Sequence, residues 1–263
     1  MLIQSTQRLA AILMAILLIN ACTKPPKQEI ILTVDDAFYP YMYLEEDTPK
    51  GLYTEIVTRV ASQIVTFETK VVAKRWNEAL SDVETGTAHG LVGTYKLTEK
   101  RPWLTHYSEP IFEEEIVFIC AAKHRGTKFE VFPRDFANML IVNIADYDGW
   151  LNYNPRNKDF TDVVNFFEAP NIETAFKMTA QGNVDCAIFE RMSYNYMLNK
   201  HTNTAKDSSS MPYVAMSFKK DNAFVGFNSE SKDAQVISAY KKQFDATLQK
   251  MRKNGELDDL IPE

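Results

Sequence analysis

The chain has 263 residues, 45% of them hydrophobic and 24% charged, with a formal net charge of −6. That length exceeds one typical domain, the apolar fraction is enough for a full core, and the acidic balance argues against nucleic acid, which asks for a basic face. The three cysteines and four histidines show no metal-site spacing, and no nucleophile motif such as G-x-S-x-G occurs.

Arg8 and the apolar run Leu9–Ile19 have the form of a signal peptide and are too short for a comfortable membrane span. The run ends in Leu18-Ile19-Asn20-Ala21-Cys22, which resembles the lipobox of bacterial lipoproteins. The resemblance implies that Cys22 is diacylated and becomes the first residue of the mature chain. Asn20 departs from the usual residue there, and ordinary cleavage with secretion is the alternative. Residues 1–22 are therefore read as signal and lipobox, and residues 23–28, rich in Lys and Pro, as a tether.

Regular patterning begins at Glu29. Ile30–Val34 is an apolar strand. Leu52, Ile56, Val60 and Ile64 fall on one face of a helix over Leu52–Val65. Phe67–Ala73 alternates and is rich in β-branched residues, as a strand requires. Arg75–Thr85 is a second helix stopped by Gly86, and Gly90–Tyr95 a third strand. The same grammar recurs with strands at Met139–Ile144, Val163–Phe167 and Val184–Phe189, and a helix capped by Asn171 and ended by Gly182. Alternating strands and helices predict parallel sheets with right-handed crossovers.

Two apolar crossings connect the units: Glu115–Ala122, and a stretch within Tyr213–Phe227. A helix over Asp233–Lys253, with Val236, Tyr240, Phe244, Leu248 and Met251 on one face, follows the second crossing and should pack back on the first unit. The predicted fold is α/β, two doubly wound lobes joined by two hinge strands with a cleft between them. Lobe one comprises residues 29–119 and 222–263, and lobe two residues 120–221. Lys206–Ser210 reads as a surface loop. Cys120 and Cys186 lie in apolar strand-like runs, where two buried free thiols are the plainer reading and a disulfide the alternative for an exported chain.

In open α/β sheets, ligands bind beyond the carboxyl ends of strands. Arg101 follows the third strand of lobe one, in the loop Gly93–Pro110, and Glu190 directly follows the third strand of lobe two. A guanidinium fork on one wall and a carboxylate on the other fit the two charged groups of an α-amino acid. The four histidines, at 89, 106, 124 and 201, sit away from these strand ends and read as surface residues.

Seven short segments in order resemble the periplasmic amino-acid-binding proteins of ABC importers, solute-binding family 3. They are Thr33-Val-Asp35 with Tyr39-Pro-Tyr41; Lys50-Gly-Leu-Tyr53; Trp76-Asn-Glu-Ala-Leu80 before Glu84-Thr-Gly86; Thr98-Glu-Lys-Arg101; Tyr107-Ser-Glu-Pro110; Gly182-Asn-Val-Asp185 with Glu190; and Asn254-Gly-Glu-Leu257. The resemblance implies a periplasmic binding protein-like II fold and an extracytoplasmic ligand-capturing role beside an ABC permease, in a monomer with neither cofactor nor metal. It implies that Arg101 takes the ligand carboxylate, that Glu190, where the family usually has Asp, takes the ammonium, and that Asp35 meets a polar or cationic side chain. Phe38 and Trp76 match the aromatic pair that sandwiches the ligand, although Trp76 also fits an apolar helix face. Thr94 and Lys96 occupy positions where the family offers small hydroxyl residues.

Lys96 adds a cation beside Arg101 or snorkels away. Asn143–Trp150 replaces a Gly-containing loop; Asp146 and Asp148 within it oppose an anion, and Tyr147 can stack or hydrogen-bond instead. Two other outputs are compatible with the same scaffold. One is a lipoprotein presenting ligand to a membrane sensor. The other is a dehydratase-type enzyme resembling the cyclohexadienyl dehydratases, with Glu190, Asp35 or Asp148 as acid or base.

Overall fold

The computed structural model describes residues 27–145, 147, 163–202, 208–228 and 230–261. The signal segment, Cys22, Asp146 and Asp148 lie outside them, as does part of Lys206–Ser210.

Strand β1 (Gln28–Asp35) buries Ile30, Leu32 and Val34, and β2 (Ala37–Phe38), β3 (Met42–Glu45) and β4 (Thr48–Lys50) form a small antiparallel sheet after it. Helix α1 (Leu52–Ser62) buries Leu52, Ile56, Val57 and Val60. It starts after Gly51, at φ 106°, where a Cβ would sit 2.5 Å from the Tyr41 carbonyl oxygen; only glycine permits that approach. The helix ends earlier than the apolar spacing suggests, because the Ile64 N–H turns back to the Ala61 carbonyl and leaves Val65 exposed. Strand β5 (Phe67–Lys74), helix α2 (Trp76–Glu84), β6 (Gly90–Thr94) and β7 (Leu104–Tyr107) complete this part.

The long strand β8 (Phe112–Cys120) leads to β9 (Leu140–Ile144), β10 (Asn165–Ala169), α3 (Ile172–Ala180) and β11 (Cys186–Glu190). Asn171 caps α3 by accepting the Thr174 N–H at 2.9 Å. Asn171→Ala should lower stability by about 1 kcal/mol, the usual worth of an N-cap, as read by urea denaturation. Helix α4 (Arg191–Thr202) follows β11 without a loop. Strand β12 (Tyr213–Asn228) and helix α5 (Ala234–Lys253) close the order.

The main sheet runs β10-β9-β11-β8-β12-β6-β1-β5. Strands β5, β1 and β6 are mutually parallel, as are β10, β9 and β11. The antiparallel pair β8 and β12 joins these two sets, with β12 pairing β8 over Tyr213–Ala223 and then β6 and β7. Two α/β lobes joined by two strands is the expected architecture. Helix α5 packs back on the first lobe: Tyr240 meets the Phe67 ring edge-on at 5.5 Å, and Thr69 Oγ1 donates to its hydroxyl.

The free-thiol reading of the cysteines is corrected. Cys186 lies directly opposite Cys120 in the antiparallel pairing of β11 with β8, and the two form a disulfide with Cα atoms 4.0 Å apart. Both are fully buried, as expected, but cross-strand register brings their sulfurs together.

Candidate functional site

Each candidate side chain is set by a strand end or the loop beyond it. Asp35 ends β1 at 3% exposure, its Oδ1 accepting the Ala37 N–H at 2.7 Å. Its Oδ2 accepts the Tyr147 hydroxyl at 2.8 Å, a bond between a strand end of one lobe and the loop after β9 of the other. The Tyr147 ring meets Phe38 edge-on at 5.3 Å and Trp76 at 6.3 Å. Tyr147 therefore touches the two aromatic residues and the carboxyl group expected to receive the ligand's body.

Arg101 is 7% exposed. Its Nη1 donates to Thr94 Oγ1 at 2.8 Å, and the guanidinium carbon lies 5.5 Å from the Trp76 ring. Stacking and a fixed hydroxyl hold a planar fork in one orientation, which a carboxylate can then meet with two donors. Lys96 is exposed, its ammonium 4.3 Å from the Phe224 ring and 5.8 Å from that of Tyr107, a residue on which the Arg101 charge also acts.

Glu190 ends β11 and is 2% exposed. Its Oε2 accepts the N–H groups of Met192 and Ser193 at 2.7 and 3.0 Å, the first turn of α4. Phe38 stacks on Tyr41 at 4.9 Å, and the Tyr41 hydroxyl lies close enough to Glu190 to lower its pKa without closing a hydrogen bond of good geometry. A continuous run of contacts thus leads from Arg101 through Trp76, Tyr147, Phe38 and Tyr41 to Glu190. The lobes also meet at the Ser193 hydroxyl, which donates to the Tyr39 carbonyl at 2.7 Å, and at Tyr39 stacked on Tyr196.

Sequence reasoning missed Glu114, on β8. It is 1% exposed and accepts from the hydroxyls of Tyr53 and Tyr95. Its signal was the triplet Glu113-Glu114-Glu115 at the head of an apolar strand: alternation places the middle glutamate on the face of Ile116 and Phe118. The histidines are more structural than expected. His89 Nδ1 accepts the Ile31 N–H, His124 pairs with Asp185 at 2.8 Å, and His201 stacks on Phe176.

Burial pushes the carboxyl pKa up to about 6 at Asp35, about 7 at Glu190 and about 8 at Glu114, where the Glu190 charge adds to burial. All three bind protons more tightly folded than unfolded, so stability should fall as pH rises from about 4.5 to about 8. The opposing carboxyls Glu115, Glu173 and Asp185, held near 2, lose their contribution only at lower pH. Thermal melts across pH 5 to 8 should show a decline, flatter in Glu114→Gln; a rise with pH would contradict these environments.

The sequence profile of the bacterial extracellular solute-binding proteins, family 3, matches residues 30–262. Among similar solved structures is a histidine kinase sensor domain with similarity to periplasmic binding proteins, at TM-score 0.71 and 16% identity over 89% of this chain and 94% of that one. AbpA of Streptococcus pneumoniae, an amino acid ABC transporter substrate-binding protein bound to L-arginine, gives TM-score 0.64 and 19% identity over 89% and 92%. An ancestral amino acid-binding protein, a precursor of cyclohexadienyl dehydratase, gives 0.68 and 13% over 88% and 93%. At these identities the likeness is one of fold. No curated protein sequence matches significantly.

Proposed function

This chain belongs to the bacterial extracellular solute-binding proteins, family 3, and we propose that it captures a small zwitterion, in the simplest case an amino acid, between its lobes for delivery to an ABC permease. The observation that carries this reading is the contact run from a buried guanidinium to a buried carboxyl, lined by aromatic faces and built from both lobes. Arg101 with Thr94 takes the ligand carboxylate, and Glu190 the ammonium. Phe38 and Trp76 flank the aliphatic stem, and Tyr147 yields its place to the ligand, releasing Asp35. Lobe one is residues 29–119 with 222–263, and lobe two residues 120–221, so that β8 and β12 serve as the hinge. No described helix is long and apolar enough to cross a membrane; Cys22, diacylated, anchors the monomer at the membrane surface.

The test is a thermal-shift panel of amino acids, polyamines and dicarboxylates on protein lacking residues 1–22. A true ligand at one hundred times Kd should add about 2.7 kcal/mol of stability. Stabilisation by none of the amino acids would overturn the reading. Replacing Cys22 by serine should move the full-length protein from the membrane fraction to the soluble one. Neighbouring genes for a permease and an ATPase support delivery, whereas a neighbouring sensor kinase supports presentation.

One observation favours a second reading. A carboxyl at a strand end that is 2% exposed and whose pKa burial pushes up, as at Glu190, is suited to general acid chemistry at neutral pH. Turnover of a prephenate- or arogenate-like compound, lost in Glu190→Gln, would establish a dehydratase-type enzyme in place of a binding protein.

A further inference from the structure

Strand β8 opens with three consecutive glutamates, and strand alternation splits them between its faces. Glu113 and Glu115 each meet a cation: Lys220 at 2.7 Å, and Arg191 through two bonds of 2.5 and 2.8 Å. Glu114, on the opposite face, meets no cation among the described residues. Its two oxygens accept only tyrosine hydroxyls, from Tyr53 on α1 and Tyr95 beyond β6. Each carboxylate oxygen keeps a lone pair for another donor.

Glu190 is its neighbour. The pairing of β11 with β8 sets Glu190 opposite Ile116, and Glu114 lies two residues further along on that face. The Glu190 charge acts on Glu114, as the neighbouring placement on that face requires. The Tyr41 hydroxyl, in a residue with 0% exposure, makes no hydrogen bond of good geometry, and the charges of both glutamates act on it. Two buried carboxyls with no cation among them are costly as anions and escape that cost by holding protons, so a cation arriving from outside is what would let them ionise.

We propose, building on the amino-acid reading above, that Glu114 is a second acidic ligand-binding residue, which with Glu190 and the Tyr41 hydroxyl receives the ligand's cationic pole, a free primary ammonium or a guanidinium. Tyr53 and Tyr95 are positioning residues that aim the Glu114 carboxyl. Such a doubly acidic pole selects against ligands whose amine is acylated and favours those with net positive charge. Besides Glu190 and these three tyrosines, the groups acting on Glu114 are Asp221 on β12 and Tyr147, with the Lys219 ammonium 5.8 Å from the Tyr95 ring. Burial raises the proton affinity of these two adjacent carboxyls, and an arriving cation favours their ionised form, so ligand uptake should expel a proton.

The experiment is calorimetric titration at pH 7 in phosphate and in Tris, with L-arginine, L-lysine, L-glutamine, putrescine, N-acetyl-L-glutamine and succinate as probes. The expected result is that the wild type binds at least one amine-bearing probe with proton release and does not bind the acetylated one. Glu114→Gln should weaken that binding at least tenfold and remove the proton release. Tyr41→Phe, which keeps the core packing, should weaken it several-fold and covers the case in which Glu114→Gln does not fold. Unchanged affinity in both variants, with Arg101→Ala still impaired, would overturn the role of Glu114 alone. Binding of succinate only, or of no probe, would overturn both this inference and the amino-acid reading.

Discussion

Arg101→Ala should remove most of the rise in melting temperature that ligand gives the wild type. The guanidinium is buried, its Nη1 is fixed on Thr94 Oγ1 at 2.8 Å, and its plane rests near the Trp76 ring. Its orientation is therefore set before ligand arrives, and little entropy is lost in forming a two-pronged contact. Truncating one partner of such a buried charge pair costs roughly 2–5 kcal/mol. Even the lower end exceeds a twentyfold loss of affinity, since each 1.4 kcal/mol is about tenfold. A ligand at one hundred times the wild-type Kd would then add only about 1 kcal/mol or less to the variant, against about 2.7 kcal/mol for the wild type. Arg101→Lys keeps the charge without the fork and should fall between the two. The readout is the ligand-induced difference, so any change in the variant's own stability drops out. An undiminished shift would remove Arg101 from the site.

The second large effect is on stability. Cys120 and Cys186 are 66 residues apart and join β8 of the hinge to β11, whose last residue is Glu190. Closing a loop of that length restricts the unfolded chain by about 4 kcal/mol in the chain-entropy account. The Cys120→Ser, Cys186→Ser double variant should therefore melt roughly 10 °C lower, taking 2–4 °C per kcal/mol for a chain of this size. Reductant should lower the wild type similarly and leave the double variant unmoved. Ligand affinity should change little in the variant, because neither sulfur is near the contact run from Arg101 to Glu190. A loss of less than about 1 kcal/mol would contradict the entropic account of this cross-link.

What the sequence revealed, and what it concealed, follows from the range of the interactions involved. The strands at Ile30–Val34 and Phe67–Ala73 and the helix face of Tyr240, Phe244, Leu248 and Met251 are local patterns, legible because burial repeats with the element's own period. Arg101 and Glu190 were legible as charged residues at strand ends, a position that the parallel topology turns toward the cleft. The disulfide was not, because it depends on the register of β8 against β11, which no local pattern encodes. Helix α4 escaped notice since RMSYNYMLNKHT buries only Ser193, Tyr194 and Met197 and carries almost no apolar stripe. Strands of two to four residues, as in the β2-β3-β4 sheet, are too short for alternation to register. Glu114 was hidden because its tyrosine partners lie 61 and 19 residues away.

One ligand should span from Arg101 to Glu190 between the lobes. A crystal structure of protein lacking residues 1–22, grown with the strongest stabiliser from the thermal-shift panel, tests it most directly. Ligand density is expected with its carboxylate on the Arg101 guanidinium, its ammonium on Glu190, and the Tyr147 hydroxyl displaced from Asp35. Ligand seated elsewhere, as in the groove between Tyr39 and the first turns of α3, with the Tyr147–Asp35 bond intact, would contradict it.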